Sequence, residues 1–353
     1  MTSGPLPTKT SVRRGVCAEP RAPGILPEIA LRRWHRLGGE VMALLYIALI
    51  AEIAYASGVA YILFPELGAL AHDVFTRPRG TWAGAPVLLA ITPVLTGAIG
   101  IVVTRALPYG YLSVLLTVGG AVGVILALKS PIAPAISAGL LPLVLGVKSW
   151  WYPPAILLGA LLLALLSLPW KRLTSAPDSI AQSTTEEVVE DALELAPAGS
   201  YWLLALLLFV AVGVFAVKLT GLRYILFPPL VVVGFEMFGH TEICPWAKRP
   251  LLLPIACFLT AAGGLLLWTL MGNGPVAAAC SMAWGILVLR LFDLHVPPAL
   301  AVALLPFVMV SPTLAYPFSV GLGTLAMTLW FLLYQAIFDQ AGSRLGNSPR
   351  LAR

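Results

Sequence analysis

Apolar stretches long enough to cross a bilayer recur along the whole sequence. A hydrocarbon core about 30 Å thick takes roughly 20 helical residues, and eight stretches lie near that length: 41–63, 86–107, 110–128, 151–168, 201–220, 251–271, 275–291 and 317–337. Hydrophobic residues make up 59% of the chain and charged residues 11%, against about 45–50% and 25% in soluble domains. We therefore predict an all-α integral membrane protein with about eight transmembrane helices.

The sequence contains two tandem copies of one unit. Tyr-Ile-Leu-Phe-Pro at 61–65 recurs unchanged at 224–228, Leu-Leu-Pro at 140–142 recurs at 304–306, and Tyr-Pro at 152–153 recurs at 316–317. A repeat of this length sets the architecture. We divide the chain into an N-terminal cytoplasmic arm with an interfacial helix at 25–35 (1–40), a first membrane repeat (41–170), an acidic linker (171–200), a second membrane repeat (201–338) and a C-terminal tail (339–353).

The linker is the main polar stretch inside the sequence. We predict that its carboxylates keep it solvated, with a short helix near 186–195; they are Asp178, Glu186, Glu187, Glu190, Asp191 and Glu194.

Charged residues near the span ends predict the orientation. Arg32, Arg33 and Arg36 precede the first span, which places the N-terminus in the cytoplasm of a plasma (inner) membrane. Basic residues also fall on the predicted outer side: Arg77, Arg79, Lys248 and Arg249. An even number of crossings in each unit predicts that the two copies run in the same direction, and an inverted arrangement stays open.

Four further apolar stretches, at 64–75, 134–147, 227–238 and 297–310, are shorter than a span or are opened by proline. Stretches of 10–14 residues are typical of re-entrant or buried segments, and proline suits a first helical turn. We predict four re-entrant or broken half-helices, two in each repeat. Their N-termini present unbonded N–H groups and a partial positive charge.

Such N-termini favour an anion site between the repeats. The substrate-binding residues predicted on this basis are Pro65, Gly68, Pro134, Ala135, Pro228, Pro229, Pro298 and Ala299, with positive charge supplied by Lys129, Arg223 and Arg290.

Ionisable residues at membrane depth are candidates for proton coupling or for buried pairs. Glu52 is predicted to pair with Lys218 or Arg223. The symmetric acids Asp73 and Glu236 each need a basic loop residue or a titratable role, because a carboxylate near a helix C-terminus opposes the dipole. His295 is either a polar cap or a proton relay.

The sequence contains no enzyme motif of the HExxH, GxSxG or phosphate-loop type. The net charge of +6 lies largely in the N-terminal arm and the loops, so it does not indicate nucleic-acid binding. The cysteines are scattered, which argues against a metal site. We predict no enzyme activity, cofactor, metal or nucleic-acid partner.

Leu294-His-Val-Pro-Pro-Ala299, followed by a Leu-Leu-Pro run, resembles the HPP family of integral membrane proteins. The family takes its name from a His-Pro-Pro run, which a valine splits in this chain. The resemblance implies a doubled version of a four-span unit, and it implies nitrite transport, which is associated with plant plastid relatives.

These observations together predict a membrane transporter or channel for a small inorganic anion such as nitrite. Two alternatives stay open: a proton- or cation-linked transporter that uses the buried carboxylates, and a non-transporting membrane scaffold or sensor. Membrane lipid is the other expected partner, and a second copy of the chain, in a homo-oligomer, is a further candidate.

Overall fold

The computed structural model describes residues 25–174, 185–195, 197 and 201–346. Most of the predicted N-terminal arm, the linker residue Asp178 and the last residues of the C-terminal tail lie outside these ranges. Within them the chain is helical and contains no strand.

In the residues that the structure describes, the first half and the linker contain eight α-helices. They are α1 (Ile25–Ser57), α2 (Leu67–Thr76), α3 (Thr81–Gly84), α4 (Pro86–Ala106), α5 (Tyr111–Leu128), α6 (Ala135–Leu145), α7 (Tyr152–Thr174) and, in the linker, α8 (Thr185–Leu193).

Between residues 201 and 346, the second half contains six α-helices and three short 3-10 turns. The helices are α9 (Tyr201–Thr220), α10 (Pro228–Gly239), α11 (Leu252–Met271), α12 (Pro275–Leu291), α13 (Pro298–Leu304) and α14 (Ala315–Gly346), and the turns are Arg223–Leu226, Pro245–Lys248 and Leu305–Val308.

Seven helices in the described part of the chain are long and apolar enough to cross a membrane: Trp34–Ser57, Pro86–Ala106, Tyr111–Leu128, Tyr152–Thr174, Tyr201–Thr220, Leu252–Met271 and Ala315–Ile337. The protein is therefore an all-α integral membrane protein. The eighth predicted span, 275–291, coincides with α12, a shorter apolar helix of 17 residues.

The predicted interfacial helix at 25–35 is not a separate element, because α1 runs without a break from Ile25 to Ser57. Gly38 and Gly39 do not interrupt it. A Cβ atom at Gly39 would lie 2.3 Å from the carbonyl oxygen of Phe75, so the glycine allows the start of α1 to touch the end of α2.

The same contact shows that the short helix α2 completes a full pass through the bundle. The chain leaves Gly39, reaches the other end of α1 at Ser57, and returns to Phe75 beside its starting point. The returning chain consists of an irregular segment followed by the half-helix α2. It can cover the length of α1 because an extended residue advances about twice as far along the chain axis as a helical residue. Arg77 therefore lies at the end of the bundle that also holds the linker, not on the opposite side as the sequence predicts.

The short helix α6 makes the second broken pass, alongside α4. Thr92 hydrogen-bonds Ser130 at 2.8 Å, Thr96 donates to the carbonyl of Ala135 at 2.6 Å, and Arg105 donates to the carbonyl of Lys148 at 2.7 Å. Residues later in α4 bond to residues later in the 130–148 segment, so α6 runs parallel to α4. The first half thus passes through the bundle six times, four times as long helices and twice as broken ones.

Several features recur at corresponding places in the second half. The Tyr152 hydroxyl donates to the carbonyl of Ala138 at 2.8 Å, and the Tyr316 hydroxyl donates to that of Val302 at 2.6 Å. Left-handed residues end matching helices: Gly58 and Gly221 follow α1 and α9, and Lys129 and Asp293 follow α5 and α12.

The linker is not fully solvated as predicted. The short helix near 186–195 is present as α8, but Leu193 and Glu194 are buried, at 4% and 6% exposure. Arg77 lies 3.1 Å from Asp191 and donates to Glu194. A guanidinium at the end of α2 attracts the acidic linker, which therefore docks on the bundle. We call this end the linker end.

Candidate functional site

The starts of the four half-helices do not offer free N–H groups to an anion. All eight predicted proline, glycine and alanine site residues at these starts are buried, but the carbonyls just before each helix already accept its first N–H groups in tight turns, at 2.9–3.1 Å. The donors are Leu67, Gly68, Ala135, Ile136, Ser137, Leu230, Ala299 and Leu300. Prolines 228 and 229 have no N–H to give. The irregular segment before each helix satisfies these N–H groups, so the predicted anion cradle is not formed there.

The predicted cations do not meet at the half-helices either. Lys129 is exposed, and its left-handed conformation ends α5, with N–H groups of Lys129 and Ser130 bonding back to Leu126 and Ile125. This is the usual geometry of a helix C-terminus, which gives Lys129 a structural role. Arg223 lies over the ring of Tyr109, 5.6 Å from its centre.

The predicted pairing of Glu52 with Lys218 or Arg223 is not formed. Glu52 is exposed on α1, and none of the ion pairs in the described chain includes it. The ammonium of Lys218 instead lies 4.2 Å from the centre of the Tyr111 ring. Lys218 and Arg223, at the end of the bundle opposite the linker end, thus both contact tyrosine rings. This arrangement stabilises a positive charge near the membrane surface.

Asp73 and Glu236 are both buried, at 2% and 4% exposure. Arg77 holds Asp73, with Nε 2.6 Å from Oδ1, as the sequence predicts. Oε2 of Glu236 has no hydrogen-bond partner among the described residues, so the two symmetric acids have different surroundings.

A cavity of about 740 Å³ opens at the linker end, between the two halves. The first half contributes residues from α1 and α2, and the second half contributes the 245–248 turn, the end of α12 and the segment before α13. Four side chains with permanent positive charge line it, against the two carboxylates Glu40 and Asp293; they are Arg36, Lys248, Arg249 and Arg290. His72 and His295 complete the polar lining. Of the predicted site residues, Arg290 and His295 are in this cavity.

Glu40 organises the positive charge of the cavity. This carboxylate is 6% exposed and accepts hydrogen bonds from Nη2 of Arg290, which joins α1 to α12 across 250 residues of sequence. Nε of Arg36 lies 4.0 Å from Glu40, and Nε2 of His72 lies 3.9 Å from it. One buried carboxylate therefore holds three basic groups at the wall of the cavity.

Trp246 presents an unused donor in the same wall. The side chain is 2% exposed, and its indole N–H has no hydrogen-bond partner among the described residues. The corresponding Trp82 of the first half donates to the carbonyl of Pro131 at 2.9 Å. A buried N–H without an acceptor costs about 1–3 kcal/mol. Trp246 lines the cavity, and its indole nitrogen is enclosed in the cavity wall as a donor that is not yet used.

Comparisons with known proteins identify no relative. No family model, no curated protein and no solved structure matches this chain. The site must therefore be interpreted from its own geometry.

The sequence analysis misses Glu66, which precedes α2 in the middle of the bundle. Its side chain is fully buried, and neither carboxylate oxygen has a hydrogen-bond partner in the described part of the chain. The second repeat has Pro229 at the corresponding position. Glu66, like Glu52, is an acidic residue without an acidic counterpart in the second repeat. That difference between the repeats is the sequence signal that identifies Glu66.

Proposed function

We propose that the protein is a membrane transporter for a small inorganic anion, and that the cavity at the linker end is where the anion is first held. The observation that carries the proposal is a cavity lined by four permanent cations, with the unpartnered indole N–H of Trp246 enclosed in its wall. Hydrogen bonds from N–H groups together with nearby cationic side chains are how proteins recognise small oxyanions and halides. The resemblance to the HPP family adds nitrite as the first anion to test.

The proposal includes a two-repeat architecture with about eight full spans and four broken passes. Six passes in a half bring the chain back to its starting end, so both halves run in the same direction, related by an axis along the membrane normal. The corresponding tyrosine bonds and left-handed helix ends support this symmetry.

Placing the linker end in the cytoplasm of a plasma (inner) membrane belongs to the same proposal. Arg77, Lys248 and Arg249, assigned to the outer side from sequence, lie at the linker end together with Arg36. With these residues at the linker end, the excess of positive charge on that side of the membrane is larger than the sequence predicts, and such an excess is typical of the cytoplasmic face.

The test is uptake of a panel of anions, including nitrite, nitrate, chloride and formate, into liposomes that contain the purified protein. Saturable uptake of one anion supports the proposal, and absence of uptake of every anion by folded protein contradicts it. Trp246→Phe should raise the half-saturating concentration about tenfold or more, as expected for a lost hydrogen bond to a charged group of about 1.5–3 kcal/mol.

Trp82→Phe is the matched control, because it removes the same N–H from the corresponding position. That N–H is already bonded to Pro131, so we expect lower thermal stability and an unchanged half-saturating concentration. Equal effects of the two substitutions on anion uptake would remove Trp246 from the site.

A second candidate, cation-linked transport, is favoured by the buried carboxylates Glu66 and Glu236. In that case the carboxylates bind the solute, and cations compete for uptake where anions do not. Inhibition of uptake by excess sodium or potassium at constant ionic strength would favour this candidate.

A further inference from the structure

Glu66 is a carboxyl group enclosed at the centre of the protein. Its side chain is fully buried, and it stands at the break between the irregular segment and α2. The contacts around it are tight: a Cβ atom at the next glycine, Gly68, would lie 2.7 Å from the side chain of Leu304 in the other half. Leu67 likewise meets Gly159 of α7, where a Cβ atom would lie 2.6 Å from the leucine side chain.

The groups around Glu66 do not supply a positive charge. The polar side chains near it are Ser137 of α6, Tyr152 of α7 and Tyr316 of α14. On α1 the hydroxyl of Tyr46 donates to Gly159, the residue that packs against Leu67, and α13 and α3 carry no titratable residue. On α2 itself the titratable side chains are His72 and Asp73, toward the linker end.

The hydroxyl donors near Glu66 are mostly committed elsewhere. Tyr152 donates to Ala138, Tyr316 donates to Val302, and Tyr46 donates to Gly159, all at 2.6–2.8 Å. Ser137 is left as the one nearby hydroxyl without a formed bond among the described residues. An ionised carboxylate in such surroundings costs several kcal/mol, whereas a neutral carboxyl group needs only one hydrogen-bond partner.

We infer that Glu66 is a proton-binding site that couples proton movement to transport. It holds a proton in the closed arrangement described here, and it releases the proton when water or solute reaches the space between the side chains of Glu66 and Ser137. The inference rests on the proposed transport function for its coupling role, and on geometry alone for the bound proton. A neutral carboxyl group also removes the repulsion that an anion moving inward from the cavity would meet. Proton release from an enclosed carboxyl group requires the half-helices around it to separate, which links protonation to conformation.

The experiment measures the bound proton and its coupling separately. Infrared difference spectra between acidic and alkaline pH, recorded on protein in lipid, report the C=O stretch of a protonated carboxyl group whether or not the protein transports anything. Glu66→Gln should remove the Glu66 component of this band and leave that of Glu194, and Glu66→Asp should retain the component at a shifted frequency. Glu52→Gln, which changes an exposed carboxylate of α1, is the control and should leave the Glu66 band in place.

The coupling is measured as anion uptake into liposomes with and without an imposed pH gradient. We expect the gradient to change uptake by the native protein and by Glu52→Gln, and the rates of Glu66→Gln to be equal with and without it. A band lost in Glu66→Gln together with absent uptake by native protein would support the proton site and contradict the proposed function.

Gradient-dependent uptake that persists in folded Glu66→Gln would overturn the coupling and leave the proposed function standing. A carboxyl band unaffected by Glu66→Gln would overturn the proton site itself. If Glu66→Gln does not fold, Glu66→Asp decides: an unshifted band and an unaltered gradient response would both contradict the inference.

Discussion

The guanidinium of Arg77 lies 3.1 Å from the carboxylate of Asp191, 114 residues further along the chain. The same guanidinium contacts Asp73 and Glu194, so one cation serves three carboxylates. The side chain of Arg77 is only 10% exposed. This cluster fixes the linker to the end of α2 and so sets the position of α8 beside the cavity, where Val189 forms part of the wall.

Removing this cation should destabilise the protein strongly. Arg77→Gln leaves the Asp73 carboxylate buried without a compensating charge and takes the donor away from Glu194, and breaking a buried ion pair from one side costs about 3–5 kcal/mol. The measurement is thermal or denaturant unfolding in detergent. Arg172→Gln, at the exposed end of α7, is the control and should change stability by no more than about 0.5 kcal/mol. Equal stability of the two variants would show that the cluster does not hold the linker.

The same cluster should make stability fall as the pH rises from about 4.5 to about 9. Burial and the neighbouring Asp73 charge raise the pKa of Glu194 from 4.5 to about 9, against the opposing effect of Arg77. Between these two values the folded protein binds more protons than the unfolded chain, so the free energy of unfolding falls as the pH rises. One group contributes at most about 1.4 kcal/mol per pH unit.

Unfolding of the native protein and of Glu194→Gln between pH 5 and 10 tests this directly. The glutamine cannot titrate, so the decline should become shallower in the variant. Glu242→Gln, which changes an exposed carboxylate, should keep the native slope. Identical slopes in all three proteins would argue against a protonated Glu194.

The exposed cations of the cavity should act on anion capture through their charge alone. Lys248 lines the cavity and is exposed, so Lys248→Gln should raise the half-saturating anion concentration about two- to fivefold at low salt. The effect should shrink at high salt, because exposed charges are screened over about 10 Å at 0.1 M. Lys129→Gln removes an exposed lysine outside the cavity and should leave uptake unchanged. A salt-independent effect would mean that Lys248 acts by another route.

Glycines of the long helices should differ sharply in their tolerance of alanine. A Cβ atom at Gly264 of α11 would lie 2.3 Å from the carbonyl oxygen of Ala303, whereas one at Gly119 of α5 meets nothing within 4 Å. We expect Gly264→Ala to cost about 1–3 kcal/mol through overpacking. Gly119→Ala should be neutral or stabilise by up to about 1 kcal/mol, since alanine favours the helix. Similar unfolding temperatures of Gly264→Ala and Gly119→Ala would contradict the close approach of α11 to α13.

The long helices could be predicted from sequence because their signal is local. The predicted limits of α5 and α12 agree with the structure to within a residue, since an apolar run bounded by glycine or proline is read within one segment. The short helices α2, α6, α10 and α13 overlap the stretches predicted as half-helices. The direction in which α2 carries the chain could not be predicted, because it depends on how far the irregular segment before it extends. That is why Arg77 was assigned to the wrong side.

The candidate site could be predicted only in part, because it forms between distant segments. Arg290 and His295 were identified as site residues, but their partner Glu40 lies 250 residues from Arg290 and carries no local signal. Trp246 matches Trp82 in sequence, yet only the structure shows that one indole N–H is bonded and the other is not. The half-helix N–H groups were expected to be free because the sequence does not show the turns that bond them.

The proposed symmetry of the two halves makes a quantitative prediction at Tyr152 and Tyr316. Each hydroxyl donates to a buried carbonyl 14 residues earlier in the chain, so Tyr152→Phe and Tyr316→Phe each leave one acceptor unsatisfied, at a cost of about 1–3 kcal/mol. If the halves are true structural copies, the two losses measured by unfolding should agree within about 0.5 kcal/mol. Tyr55→Phe, at an exposed position of α1, should cost little. A large loss at one site and none at the other would mean that one tyrosine bond is dispensable and that the halves are not equivalent.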